Sequence, residues 1–244
     1  MRTSSQARTL AAVIEQNNAT GTVSYWRGGG HQSEADRNGV SLADYVHALY
    51  GLIRQSRAHR IALIGCGGGT LANMLYQKDA SLVAVDIDPA AFLIAHDYFR
   101  MPAAIEQHAA DGAEFLRRTR QRFDAIVLDA YMGEHIPAHL LSVEFFARVK
   151  MRLRPRGLVL LNLIVADDDD DPWPHDIGWR LKTVFRHVRL LDRPGWINRN
   201  AILAAGHVGA LRRPHLLMTP QRRARSLAAA LKTLVFRPLL DRAP

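Results

Sequence analysis

Residues 61–69 read Ile-Ala-Leu-Ile-Gly-Cys-Gly-Gly-Gly, and Asp86 closes a second apolar run seventeen residues further on. Ile61 to Ile64 has the composition of a parallel strand buried on both faces. The run breaks into glycines and then into a helical pattern from Thr70, with Leu71, Met74 and Leu75 spaced for one face. A strand, a glycine turn and a helix start make a ligand cradle, because glycine lets the backbone approach a bound molecule closely. Ser81–Asp86 (Ser-Leu-Val-Ala-Val-Asp) predicts the neighbouring strand, whose terminal carboxylate can accept hydrogen bonds from a ribose diol.

Working outward, strand and helix signals alternate. Asp88-Pro89 is a cap and first turn opening a helix to about Phe99. Ala104–Ala110 predicts a third strand, 113–119 a helix, and Phe123–Asp129 a fourth strand. A helix from about Leu141 to Leu153 stops at Arg154-Pro155-Arg156-Gly157, before the apolar strand Leu158–Val165. Trp173 to Phe185 follows as a helix, then a strand pair, His187–Asp192 and Ala201–Ala205, around Pro194-Gly195. This order predicts an α/β fold with a doubly wound, mostly parallel sheet, complete by about Gly206. Ligands of such sheets bind beyond the carboxyl ends of the strands, so Asp86, Asp111 and Asp129 should share one cleft. Asp111 and Gly112 are placed to meet an adenine ring, and Asp111 also reads as a helix cap.

The glycines are spaced Gly-x-Gly-x-Gly (Gly65, Gly67, Gly69), and Thr70 stands where a dinucleotide fingerprint needs glycine. This loop, with its acid, resembles the S-adenosylmethionine loop of class I methyltransferases, a Rossmann-like fold. More specifically, Gly65–Leu71, Val85–Pro89, Asp111–Leu116, Phe123–Asp129 and Ile136–Phe146 succeed each other as in spermidine synthase-like proteins, most closely an uncharacterised branch of them. The resemblance runs from about Val40 to Gly206. It implies a small β-rich amino-terminal portion, and Thr20–Asp36 reads as a hairpin of that kind. It implies cofactor contacts from Gly65, Gly67 and Gly69, from Asp86 and Ile87, and from Asp111 and Gly112. Gln32 and Tyr45 fall near places where that family meets substrate. The expected cofactor is S-adenosylmethionine or decarboxylated S-adenosylmethionine.

The departures lie in the amine half. The family's loop after the fourth strand, Asp-Ser-Ser/Thr-Asp-Pro, appears here as Asp129-Ala130-Tyr131-Met132-Gly133-Glu134. Asp129 matches the first acid, whereas Met132 replaces the second, which orients and deprotonates the attacking amine. The family's Tyr-His-Glu appears as Tyr45-Val46-His47. A cationic amine needs carboxylates to bind it and must lose a proton before attack, so strict spermidine synthesis is not the expectation. Asp129 is the catalytic candidate, with Glu134 either a substitute acid or a solvated loop carboxylate.

The net charge of +9 is unevenly distributed. Residues 211–244 hold eight basic residues and one acid, so that the tail carries +7 and the first 210 residues only +2. Thr219-Pro220 reads as a helix start, with Leu227, Leu231, Leu234 and Val235 on one face. Packing on the body is the favoured reading of this basic helix, over an anionic partner. No specific nucleic-acid motif accompanies it. The expected divisions are 1–48, a β-rich amino-terminal portion; 49–210, the adenosyl-cofactor-binding domain; and 211–244, the basic tail. The single cysteine, Cys66, reads as filler between glycines. The amino terminus lacks an apolar signal core and no run is long enough for a transmembrane segment, so a cytoplasmic protein is expected. A homodimer is compatible with the resemblance.

Asp167–Asp171 reads as a solvated loop, with Asp171-Pro172 entering a helix; the alternative, a run that attracts a polycation or a divalent metal, has no matching ligand pattern beside it. His135 and His139 are separated by Pro137 and read as loop and packing residues, so no metal site is expected. The expected activity is transfer of a methyl or aminopropyl group from a sulfonium donor to a small acceptor, an amine in chemical class. The alternatives are a methyltransferase acting on another small molecule and a non-catalytic adenosyl-ligand-binding homologue.

Overall fold

The computed structural model describes residues 12–133, 135–166 and 171–240. Three antiparallel strands come first: β1 (Ala12–Asn17), β2 (Thr22–Arg27) and β3 (Gly30–Ala35). The expected hairpin is thus β2–β3, extended by β1. Buried Tyr25 and Ala35 seat this small sheet against Phe99 of the main body.

The main body alternates as α1 (Asp44–Ser56), β4 (Arg60–Ile64), α2 (Thr70–Tyr76), β5 (Ser81–Asp86), α3 (Pro89–Phe99), β6 (Glu106–Ala109), α4 (Gly112–Arg118) and β7 (Phe123–Leu128). It continues with α5 (Val143–Arg152), β8 (Leu153–Val165), α6 (Pro172–Lys182), β9 (Val188–Asp192), β10 (Arg199–Gly206), α7 (Ala224–Thr233) and β11 (Val235–Arg237). The sheet order is β11-β9-β10-β8-β7-β4-β5-β6, with β4 to β8 mutually parallel and β10 antiparallel to β8. Alternation within β4 shows why both faces must be covered. Ile61 and Leu63 enter one core, with residues of α1, α2 and α7, whereas Ala62 and Ile64 enter the other, with residues of α4, α5 and α6. The chain runs from β4 out to β6, then returns to β7 on the other side. That reversal opens a crevice at the carboxyl ends of β4 and β7.

Three local expectations differ. The helix anticipated from Leu141 begins at Val143, after a 3₁₀ turn at Ala138–Leu141. Ser142 separates the two in extended backbone, and its hydroxyl accepts from the Phe145 N–H at 3.1 Å. The Arg154–Gly157 turn is absorbed into β8, with Arg156 at φ +63° and the pairing to β7 shifting register there.

The third difference is in the tail. The helix begins at Ala224 rather than Thr219, because tertiary contacts hold the preceding chain in a non-helical path, with Arg223 at φ +58°. Gln55 exchanges two hydrogen bonds with the Arg212 backbone, and the Gln221 N–H donates to Asp36 Oδ2 at 2.8 Å. Leu227, Leu231 and Leu234 are buried while Arg222, Arg223, Arg225 and Lys232 are exposed, which is the packed arrangement. The sheet is not complete at Gly206: β11 pairs with β9.

A buried charge cluster ties this end together. Asp192 Oδ1 and Oδ2 accept from Arg199 at 2.8 and 3.1 Å, and Oδ2 also accepts from Arg237 at 3.1 Å. Arg193, stacked on Trp196, pairs with Asp44 at the start of α1. The cluster therefore ties β9, β10 and β11 to one another and, through Arg193, to the start of α1.

Candidate functional site

The crevice is a cleft of about 780 Å³ into which the loops after β4, β5, β6 and β7 open. Gly65 has φ +95°, and a Cβ there would lie 2.1 Å from the Asp129 carbonyl oxygen. Only glycine lets the loops after β4 and β7 run side by side at that distance. Gly69, at φ +67°, would drive a Cβ to 2.7 Å from Met101 Sδ. Gly67 also takes a positive φ. The loop is pinned from two sides, since the Cys66 N–H donates to Asp86 Oδ2 and the Gly68 N–H to Ser33 Oγ, each at 2.8 Å.

Asp86 stands at the end of β5, where its Oδ1 accepts from the Asp88 N–H at 2.9 Å. Each carboxylate oxygen keeps a lone pair for a ligand, the arrangement a vicinal diol needs. Burial holds the Asp86 carboxyl above its ordinary value, against the pull of the Asp88 and Cys66 N–H groups. Ile87 follows it, 61% exposed, as an apolar wall. Arg27 of β2 pairs with Asp88, so the small sheet is clamped onto this strand end. Burial pushes the Cys66 thiol up, with Asp86 adding to the effect, so Cys66 has no thiolate character.

Asp111 caps α4 through Oδ1, which accepts from Ala113 at 2.9 Å and Glu114 at 3.1 Å. Its Oδ2 lies 2.8 Å from His139 Nε2. Partial burial works against it, yet His139 and the helix N–H groups hold its carboxyl below the ordinary value. The packing role expected for His139 is thus corrected: it reaches across to Asp111. Gly112 lies against Ile64, whose Cγ2 would be 2.4 Å from a Cβ.

Across the cleft, Asp129 receives the Asn162 amide, Nδ2 to Oδ1, at 2.8 Å, and the Tyr45 phenol faces the same carboxylate. Burial raises the Asp129 carboxyl, and those two groups only partly offset it. Burial and Asp129 together raise the Tyr45 phenol. Tyr131 accepts from the Ile164 N–H at 2.8 Å and donates to the Asn162 carbonyl at 3.1 Å. Gln32 lines the cleft from β3. Met132 is 63% exposed on the cleft, in a turn closed by its N–H to the His135 carbonyl at 2.8 Å. Glu134 and Asp167–Asp170 lie outside the described residues, whereas Asp171 caps α6 through the Trp173 N–H at 2.9 Å.

All the other candidate residues therefore line one cleft. Sequence reasoning missed Asn162 and Asn200, whose amides meet at 3.0 Å behind Asp129. A signal existed: Asn162 is the lone polar residue in the apolar run Leu158–Val165, and a buried amide in a central strand needs partners.

The methyltransferase domain family matches residues 61–157. A probable polyamine aminopropyl transferase of Bifidobacterium longum is 30% identical over 165 residues, covering 66% of this chain and 37% of that protein. The chain spans under half the length of the curated aminopropyltransferases it matches. The crystal structure of a probable spermidine synthase from Corynebacterium glutamicum superposes with a TM-score of 0.75 at 17% identity, covering 95% of this chain and 88% of that one. Human methyltransferase-like protein 13, solved in complex with SAH, superposes with a TM-score of 0.54 at 22% identity, covering 78% of this chain and 87% of that one. The class is thus the class I methyltransferase fold. Within it, the chain takes the spermidine synthase-like form, with a small antiparallel sheet ahead of the main one.

Proposed function

We propose that this chain is an alkyl transferase that binds S-adenosylmethionine or decarboxylated S-adenosylmethionine and alkylates a small amine. One observation carries the reading. A glycine cradle with a diol-accepting carboxylate faces a half-buried acid, Asp129, across a single cleft. The kinship with aminopropyltransferases and methyltransferases supports the same reaction class.

Gly65–Gly69 would admit the adenosyl group, Asp86 would hold its ribose hydroxyls, and Ile87, Asp111 and Gly112 would flank its base. When bound, the sulfonium supplies an electrophilic carbon with its leaving group in place. The protein's work is then to align the acceptor and exclude water. Asp129 binds the acceptor amine, and its raised carboxyl makes it a better base than a solvated aspartate. The Asn162 amide and the Tyr45 phenol leave its remaining lone pairs to the acceptor. Met132 favours an acceptor other than a simple diamine, because it puts a thioether where the family carries the acid that orients and deprotonates the attacking amine.

Calorimetric titration with S-adenosylmethionine, its decarboxylated form and methylthioadenosine tests the cofactor half. Asp86→Ala should weaken the tightest of these by about 1.5–3 kcal/mol, the scale of a charge-assisted hydrogen bond. Unchanged affinity in a folded variant would remove the assignment, and preferential binding of NAD would replace it.

A further inference from the structure

Asp129 is not held by one neighbour but stands at the end of a chain of amides that crosses the sheet. A carboxylate only accepts, so Asn162 must turn its NH₂ toward Asp129 Oδ1. That leaves Asn162 Oδ1 facing the other way, where the Asn200 NH₂ donates to it at 3.0 Å. The polarity of the chain therefore runs from Asn200 through Asn162 to Asp129. Register explains the meeting. Asn200 of β10 pairs with Ile164 of β8, and Asn162 lies two residues from Ile164 on the same face, so the two amides are diagonal neighbours. Asn162 is buried and Asn200 only partly so.

We propose that Asn200 is a positioning residue for Asp129: its amide locks the Asn162 amide so that an N–H, never a C=O, points at the carboxylate. This rests on the reading of Asp129 as the acceptor-binding acid. Without Asn200, the buried Asn162 carbonyl loses its donor and the amide loses both its polarisation and its fixed orientation. The bond to Asp129 then weakens, and the ionised carboxylate becomes harder to keep at this partly buried site. The other groups facing Asp129 are the phenols of Tyr45 from α1 and Tyr131 from the loop after β7, both pushed toward the neutral form. Asp44, beside Tyr45, is paired with Arg193. The amide chain, like the Tyr45 hydroxyl, is thus a device at Asp129 whose loss would register in its titration without adding or removing a charge. Arg199, adjacent to Asn200, is anchored to Asp192 within β10's own end of the sheet, which fixes where Asn200 can stand.

The test is a titration of the ligand-free full chain by ¹³C carboxyl NMR, with the Asp129 resonance assigned by its disappearance in Asp129→Asn. Asn162→Ser should raise the Asp129 midpoint by about one pH unit, and Asn200→Ala by about half a unit, the scale of one lost donor to a carboxylate. The double variant should shift no further than Asn162→Ser alone, because Asn200 acts only through Asn162. An Asp129 midpoint unmoved by Asn200→Ala, or a double variant whose shift is the sum of the two, would overturn the proposal. Asn200 is partly exposed, so Asn200→Ala tests it even where the buried Asn162→Ser fails to fold. No ligand enters the measurement. Failure of adenosyl compounds to bind would defeat the transferase reading and leave this result standing, and the reverse holds equally.

Discussion

Asp129→Asn is expected to abolish alkyl transfer while leaving the affinity for adenosyl ligands within about twofold of wild type. A positioned general base contributes about 10²–10⁴ in rate, and asparagine cannot take a proton from the acceptor. Asparagine keeps the volume and still offers an oxygen to Asn162, and the cradle around Asp86 lies on a different strand end. The substitution should also have a stability signature. Burial raises the folded carboxyl above its unfolded value, so wild type loses stability as pH rises from the ordinary carboxylate range through that folded value. The neutral amide carries no such cost, so the variant should be at least as stable as wild type at neutral pH, with its advantage shrinking in acid. Met132→Asp complements it: restoring an acid beside Asp129 should raise putrescine-dependent aminopropyl transfer, which wild type should perform weakly or not at all. Vigorous spermidine formation by the unmodified chain would refute this account of Met132.

Asp192→Ala should cost up to about 3–5 kcal/mol, because it removes from a buried guanidinium a carboxylate with which it pairs. Asp192 is fully buried and accepts from Arg199, whose side chain is 2% exposed, and from Arg237. Burial alone would raise the Asp192 carboxyl, but the hydrogen bonds from Arg199 and the Arg193 N–H, with the Arg199 and Arg237 charges, hold it below the ordinary value. The sign follows. Its stabilisation is complete above the unfolded carboxylate value and is lost as pH falls toward the lowered folded one. Chemical denaturation should show the gap between wild type and variant at neutral pH and its narrowing in acid. A gap below about 1 kcal/mol at neutral pH, the range of an exposed pair, would show that the cluster is solvated in solution.

Much of the parallel sheet could be read from local pattern. Ile61–Ile64, Ser81–Asp86 and Phe123–Leu128 are short apolar runs ending in glycine or aspartate, and each forms the strand expected. The carboxyl-end rule places Asp86, Asp111 and Asp129 in one cleft, and all three line it. Boundaries set by competition were less legible. Thr219-Pro220 carries a good helix-start signal, but Asp36 captures the Gln221 N–H just after it, and the helix is postponed to Ala224. Residue types with fixed local consequences — glycines at positive φ, an aspartate before proline, an unbroken apolar strand — thus specify their structure within a few residues. The partners of Asp129 come from much farther away. Tyr45, Asn162 and Asn200 belong to α1, β8 and β10, and they meet only once the strands are in register and the antiparallel β10 lies beside β8. Hydrogen-bond direction in a buried network depends on what every neighbour can donate or accept, and that is settled only by the packed sheet.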